Sequence, residues 1–147
     1  SFMFSSNPGE PPMPLEKIAS GGEASRIMLA IKTILSTADH THTLVFDEID
    51  SGISGDTATK VAEKLQILSC HKQVLCVTHT AQIAAMSDAH FYISKGVADC
   101  RTSTQILKMS HEERVKEVAR LLSGESNDKK SVALSEQLIS RRKEMNN

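Results

Sequence analysis

Thr43-Leu44-Val45-Phe46-Asp47-Glu48 decides how this chain is read. A short, continuously apolar run ending in two carboxylates predicts a strand buried on both faces, with its acids at the C-terminal end. Downstream, Asp56 can cap an amphipathic helix reaching about Ser69, with Ala58, Val61, Ala62, Leu65 and Leu68 inward and Lys60, Glu63 and Lys64 outward. Gln73-Val-Leu-Cys-Val-Thr78 then reads as a second buried strand. Strand, helix and strand in about 35 residues form a βαβ crossover, which requires parallel strands. The expected fold class is therefore α/β: a parallel-sheet core with flanking helices.

Upstream, Ile27, Met28, Ile31, Ile34 and Leu35 recur at three- and four-residue steps and predict a helix from Glu23 to about Ser36. Residues 1–14 hold all four prolines and read as a strand end followed by a loop. After a short helix near Ala81–Ser87, the alternation in His90–Ser94 and Thr102–Lys108 around Gly96 predicts an antiparallel pair. Ser110-x-x-Glu113 opens a helix to about Ser123, Gly124 ends it, and a last helix covers about Lys130–Glu144.

Composition narrows the functional classes. The 147 residues are one domain's worth, and 39% hydrophobic with 24% charged residues is a globular balance. No apolar run approaches the roughly 20 residues of a membrane helix. Lys and Arg total 17 against 18 Asp and Glu, so the chain has no overall basic field to draw in nucleic acid. Cys70, Cys76 and Cys100 are odd in number and make no C-x-x-C pair, which points to free thiols in a reducing cytoplasm. Cys70, His71, Cys76 and His79 invite a zinc reading, but their spacing is unlike that of a zinc knuckle.

Three motifs carry chemistry. Asp47 and Glu48 lie at the sheet edge where open α/β sheets bind ligands. In a nucleotide site the first acid engages Mg²⁺ and the second orients and deprotonates a water. The bland alternative is a solvated pair beginning a loop. Ser20-Gly21-Gly22-Glu23 has the spacing of a capping box, yet two glycines at a helix N-terminus also let backbone N–H groups approach a phosphate. His79, just past the second strand, is expected near the acids at the same edge, where it could donate to a transferring phosphoryl group, or serve structure alone. Asp50-Ser-Gly-Ile-Ser-Gly55 links the acids to the next helix as a tight loop suited to a subunit contact.

The order of these pieces, S-G-G-E before a helix, apolar-D-E, a D-x-G-x-S-G loop and then T-H, resembles the ATP-binding-cassette ATPases and, within them, the bacterial RecN family of DNA-repair proteins related to the SMC proteins. The resemblance is carried by Asn7–Pro11, Ile18–Glu23, Ser25–Lys32, Phe46–Gly55, Val77–Ala85 and Glu117–Gly124, and covers about residues 3–140. It implies that Ser20, Gly21 and Gly22, followed by Glu23, form the signature that contacts the γ-phosphate of ATP on an opposite subunit. It likewise makes Asp47 the Walker B magnesium ligand, Glu48 the catalytic base, Asp50 the start of the D-loop and His79 the switch histidine. Ala19, where the superfamily usually has Leu, and Glu23, where many transporters have Gln, favour the repair side over transport.

No G-x-x-x-x-G-K-[ST] occurs in the chain, so the loop that cradles the α- and β-phosphates is missing. The resemblance places that loop in an N-terminal lobe, beyond a coiled-coil arm, and makes this chain the C-terminal lobe of an ATPase head. The expected divisions are 1–18 as a strand and Pro-rich entry, 19–88 as the motif-bearing core and 89–147 as the strand pair and C-terminal helices. The expected partners are the N-terminal lobe, a second head and, through the complete protein, DNA, with ATP and Mg²⁺ bound. The expected place is the cytoplasm, at the nucleoid. The fragment alone is expected to be inactive, and its strand Val74–Thr78 to present a bare edge. A non-catalytic interaction module and a transporter ATPase subunit are the rival readings.

Overall fold

The computed structural model describes every residue except 1, 2, 6, 7, 15–19, 37, 39, 99, 100, 146 and 147. In chain order its elements are β1 (Met3–Phe4), β2 (Met13–Pro14), α1 (Gly21–Ile34), β3 (Thr43–Phe46), α2 (Gly55–Ser69), β4 (Gln73–Cys76), α3 (Ala81–Ala85), β5 (Phe91–Ala98), β6 (Arg101–Lys108), α4 (His111–Ser123) and α5 (Lys129–Met145). The strands form three two-stranded sheets: β1 with β2 antiparallel, β3 with β4 parallel, and β5 with β6 antiparallel. Contacts divide the chain into two compact units, Ser1–Thr78 and His79–Asn147.

In the first unit, α2 is amphipathic as its spacing dictates. Ala58, Val61, Ala62, Leu65 and Leu68 are buried together with Gln66, each large aliphatic side chain contributing about 1.5–3 kcal/mol when fully buried. Asp56 does not cap this helix. Ser54 holds the N-cap position without a side-chain bond, and Asp56 sits in the first turn, where its carboxylate pairs with Lys60 at 2.8 Å. There it still meets the positive end of the helix dipole.

The parallel ladder sets Leu44 beside Val74 and Phe46 beside Cys76, and Val77 N–H extends it by donating to Phe46 O at 2.9 Å. The expectation of strands buried on both faces fails. Leu44 and Phe46 are buried, but Val45 is 67% exposed, and Leu75 and Val77 on the same face are 49% and 53% exposed. One face of this two-stranded sheet is covered and the other is bare. The stripe expected to form the buried face of α1 does not do so: Ile27 and Ile31 are half-buried and Met28, Ile34 and Leu35 exposed, while Leu29, outside that stripe, is the buried one. At the N-terminus, Pro14 lies in a two-residue strand paired with Met3 rather than in a loop, as an edge strand permits.

The second unit packs Ala81, Ala84, Ala85, Val115, Val118 and Ile139 into one cluster, flanked by Leu121, Leu122, Val132 and Leu138. Ser110 and Glu113 form the expected capping box of α4, and Gly124 ends that helix at φ +83°, the left-handed conformation that favours glycine. Buried Arg114 donates to the carbonyls of Ala84 (3.4 Å), Ala85 (2.6 Å) and Ser87 (2.6 Å), closing the C-terminus of α3. Among the described residues, no helix is long and apolar enough to cross a membrane.

Candidate nucleotide site

Ser20 is the N-cap of α1. Its Oγ accepts from Glu23 N–H at 3.3 Å, and Glu23 Oε2 accepts from Ser20 N–H at 3.0 Å, a complete capping box. These bonds to Ser20 hold the Glu23 carboxyl below its usual range. Ser20 O accepts from Ala24 N–H, so the other amides of the first turn are those of Gly21 and Gly22. The capping and phosphate-approach readings of S-G-G-E thus share Ser20 Oγ, while the amides of Gly21 and Gly22 lie outside the capping box.

Gly22 is required by its neighbours, and Gly21 leaves room for the Glu48 carboxylate. A Cβ on Gly21 would collide with the Glu48 carboxylate, and one on Gly22 would lie 2.9 Å from Glu48 O and 3.0 Å from Ser51 Cβ. The first turn of α1 and the Asp47–Ser51 turn are therefore in direct contact within one unit. Glu48 has φ +57°, the only positive φ at a non-glycine among the described residues, a conformation costing roughly 1–2 kcal/mol. Surrounding bonds hold it there. Ser51 N–H donates to Glu48 O at 2.9 Å, Ser25 Oγ to Asp47 O at 2.9 Å, and Arg26 Nη1 to Ile49 O and Ser51 O at 3.1 and 2.8 Å.

Asp47 and Glu48 are exposed, one residue past β3 and onward. Asp47 Oδ1 accepts from Glu48 N–H at 2.9 Å. Asp50 differs sharply: it is buried, and Thr78 Oγ1 donates to its Oδ2 at 2.6 Å. That bond fastens the end of β4 to the acid-bearing turn. His79 follows Thr78 directly, is exposed, and begins the second unit. Ala19, the residue before the Ser20 cap, lies outside the described residues, as does Cys100.

The donor set suits one kind of metal. Among the described residues, no group of three or more His, Cys, Asp and Glu could hold an ion, so an all-protein cage is not built here. Mg²⁺ bound to a nucleotide needs only one or two carboxylates, the remainder being phosphate oxygens and water, and exposed Asp47 fits that demand. Cys76 offers no thiolate: burial above all, then Asp50 and Asp47, push its thiol up to about 12.

Ser25, Arg26 and Thr78 were not singled out from the sequence. Each acts across 22 to 28 residues through a hydrogen bond, and hydrophobic periodicity carries no trace of such contacts.

No family model matches the chain. Curated relatives match almost all of it: the DNA repair protein RecN of Treponema pallidum is 53% identical over 138 residues, covering 94% of this chain and 24% of the relative. RecN of Bacillus subtilis is 48% identical over 123 residues (84% and 21%), and RecN of Deinococcus radiodurans 50% over 125 (85% and 22%). The chain has the sequence of a RecN C-terminal region. It spans under a quarter of the length of these RecN proteins. A solved structure from work on ATP-driven dimerization and DNA stimulated activation of SMC ATPases shares its fold, with TM-score 0.54 and 18% identity over 78% of this chain and 68% of that one. The chain thus shares the fold of that structure, and its β3–α2–β4 crossover with parallel strands is of the α/β class.

Proposed function

We propose that this chain is the C-terminal lobe of the ATP-binding head of a RecN-type DNA-repair protein, and that it supplies parts of two ATP sites when two heads close. The observation that carries the reading is the contact between the Ser20–Gly22 helix start and the Asp47–Glu48 turn at the end of a parallel strand. The bare apolar face of Val45, Leu75 and Val77 supports a further layer packed over this sheet, which the N-terminal lobe would supply. The relatives, described as DNA repair proteins, support a role in DNA repair, within which we place double-strand-break repair and recombination.

In this proposal the chain's own groups divide the work. Asp47 holds the Mg²⁺ of the nucleotide, which when bound offsets phosphate charge. Glu48 accepts the proton of the attacking water, a task worth typically 10²–10⁴-fold in rate. His79 donates a hydrogen bond toward the phosphoryl group. On the opposite head, Ser20 Oγ and the amides of Gly21 and Gly22 face the γ-phosphate, where the helix N-terminus favours an anion. Asp50, fixed by Thr78, anchors the loop to Gly55 that lies between the heads.

The test uses the full-length protein. Glu48→Gln is expected to lower ATP turnover at least 100-fold while ATP with Mg²⁺ still drives dimerisation in sedimentation. Turnover within threefold of the parent removes Glu48 from the chemistry. The 147-residue lobe alone is expected to show no hydrolysis in a single-turnover assay, and to gain ATP-dependent dimerisation when the N-terminal lobe is added.

A further inference from the structure

Ser25 and Arg26 stand one turn inside the helix whose first residues are proposed to meet ATP, yet their side chains bind a different segment. Ser25 Oγ takes the carbonyl of Asp47, and a single Arg26 nitrogen bridges those of Ile49 and Ser51. Glu48 lies between these anchored carbonyls, and its own carbonyl is closed by Ser51 N–H. Its left-handed backbone is not one that a glutamate adopts unaided. A guanidinium is always charged, and charge-assisted hydrogen bonds are roughly twice as strong as neutral ones. The far side of the turn is fixed by the Asp50–Thr78 bond, so Ser25 and Arg26 clamp the near side, and of these two Arg26 is the charged one.

We infer that Arg26 is a positioning residue for Glu48 of its own chain, so that the helix start serving one ATP site and the acid turn serving the other move as one piece. The inference rests on the two-head reading above. In that reading Ser20–Gly22 contact nucleotide held by the opposite head, while Arg26 orients the base of the site on its own head. A displacement of α1 by phosphate at the first site is then transmitted to the Glu48 carboxylate, which already touches the space over Gly21. The two sites of a dimer are coupled through about one turn of helix.

The experiment reads turnover and nucleotide response separately in the full-length protein. Arg26→Gln is expected to lower turnover at saturating ATP at least tenfold, with the half-saturating ATP concentration within threefold of the parent. Arg26→Lys, which keeps a cation within reach of the carbonyls, is expected to recover at least a third of the parent's turnover. Mixed dimers locate the effect. With Ser20→Arg on one subunit, a single site survives, built from that subunit's acids and the partner's serine and glycines. Adding Arg26→Gln to the subunit that donates the acids is expected to lower the remaining turnover at least tenfold further than adding it to the partner. Equal losses from either placement, or turnover within threefold of the parent for Arg26→Gln, overturn the role of Arg26. If Glu48→Gln protein stays monomeric with ATP and Mg²⁺, the two-head reading itself falls, a result separable from the others.

Discussion

Two helices of this chain begin with the same local device and diverge in every other respect. Ser20 and Glu23 at the start of α1, and Ser110 and Glu113 at the start of α4, form complete capping boxes with matching bonds: 3.0 and 3.3 Å in one, 2.7 and 3.4 Å in the other. Between cap and glutamate, α4 carries His111 and Glu112, both exposed, with Glu112 paired to Lys116. α1 carries two glycines, poor helix formers by about 1 kcal/mol each relative to alanine. The box explains why each helix starts where it does. It does not explain the glycines; the Asp47–Ser51 turn pressed against them does.

That difference can be broken most forcefully at Gly22. Elsewhere in a helix, glycine to alanine stabilises. Here the new methyl meets Glu48 O and Ser51 Cβ, backbone and a short side chain that cannot swing away. Gly22→Ala is expected to destabilise α1 locally by about 1–3 kcal/mol, as overpacking does, seen as faster amide exchange in its first turns. Gly21→Ala meets only the far end of the Glu48 side chain. It is expected to leave exchange unchanged while turnover of the full-length protein falls at least tenfold, because the carboxylate is pushed aside. His111→Ala, the matching position of the other box, is expected to change neither. If both glycine variants behave like it, the turn does not need them.

The caps themselves should be equivalent. Ser20→Ala and Ser110→Ala are each expected to cost about 1 kcal/mol of local helix stability, measured by exchange in α1 and α4. Only Ser20→Ala is expected to weaken ATP-driven dimerisation as well. A nucleotide effect from Ser110→Ala of similar size would make the two boxes alike after all.

What could be read from the sequence follows the same division. Capping boxes, the αL glycine at 124 and the inward face of α2 are written in residues three or four apart, so they were legible. The parallel pairing of β3 and β4 was legible because a crossover of that length allows little else. The burial of their faces was not, since it depends on what lies against a sheet, and here Val45 and Leu75 are left uncovered. Asp47 and Glu48 announced themselves through the apolar run before them. Arg26, by contrast, looks like one more polar residue on an amphipathic helix. Its carbonyl partners lie 23 and 25 residues away and carry no side-chain signature, because any residue type supplies a carbonyl. Arg114 at the end of α3 was hidden for the same reason.

The smallest expected difference lies in how the two boxes respond to acid. Glu23 and Glu113 are both held below the ordinary glutamate value of 4.5, chiefly by backbone N–H and hydroxyl donors from Ser20 and Ser110. An unfolded helix start therefore takes up its proton first, and the stability each carboxylate supplies is full above about pH 4.5 and drains away as pH falls through the lower, folded value. Exchange in the first turns of α1 and α4 is expected to quicken together over that range, and Glu23→Gln or Glu113→Gln to flatten the response of its own helix only. The cations differ, however. Arg26 is the least of the influences on Glu23, and Lys116 the least on Glu113. Arg26→Gln is thus expected to move the acid midpoint of α1 slightly upward and leave that of α4 in place. A midpoint for α1 that does not move would mean that Arg26 spends its charge wholly on the carbonyls of Ile49 and Ser51.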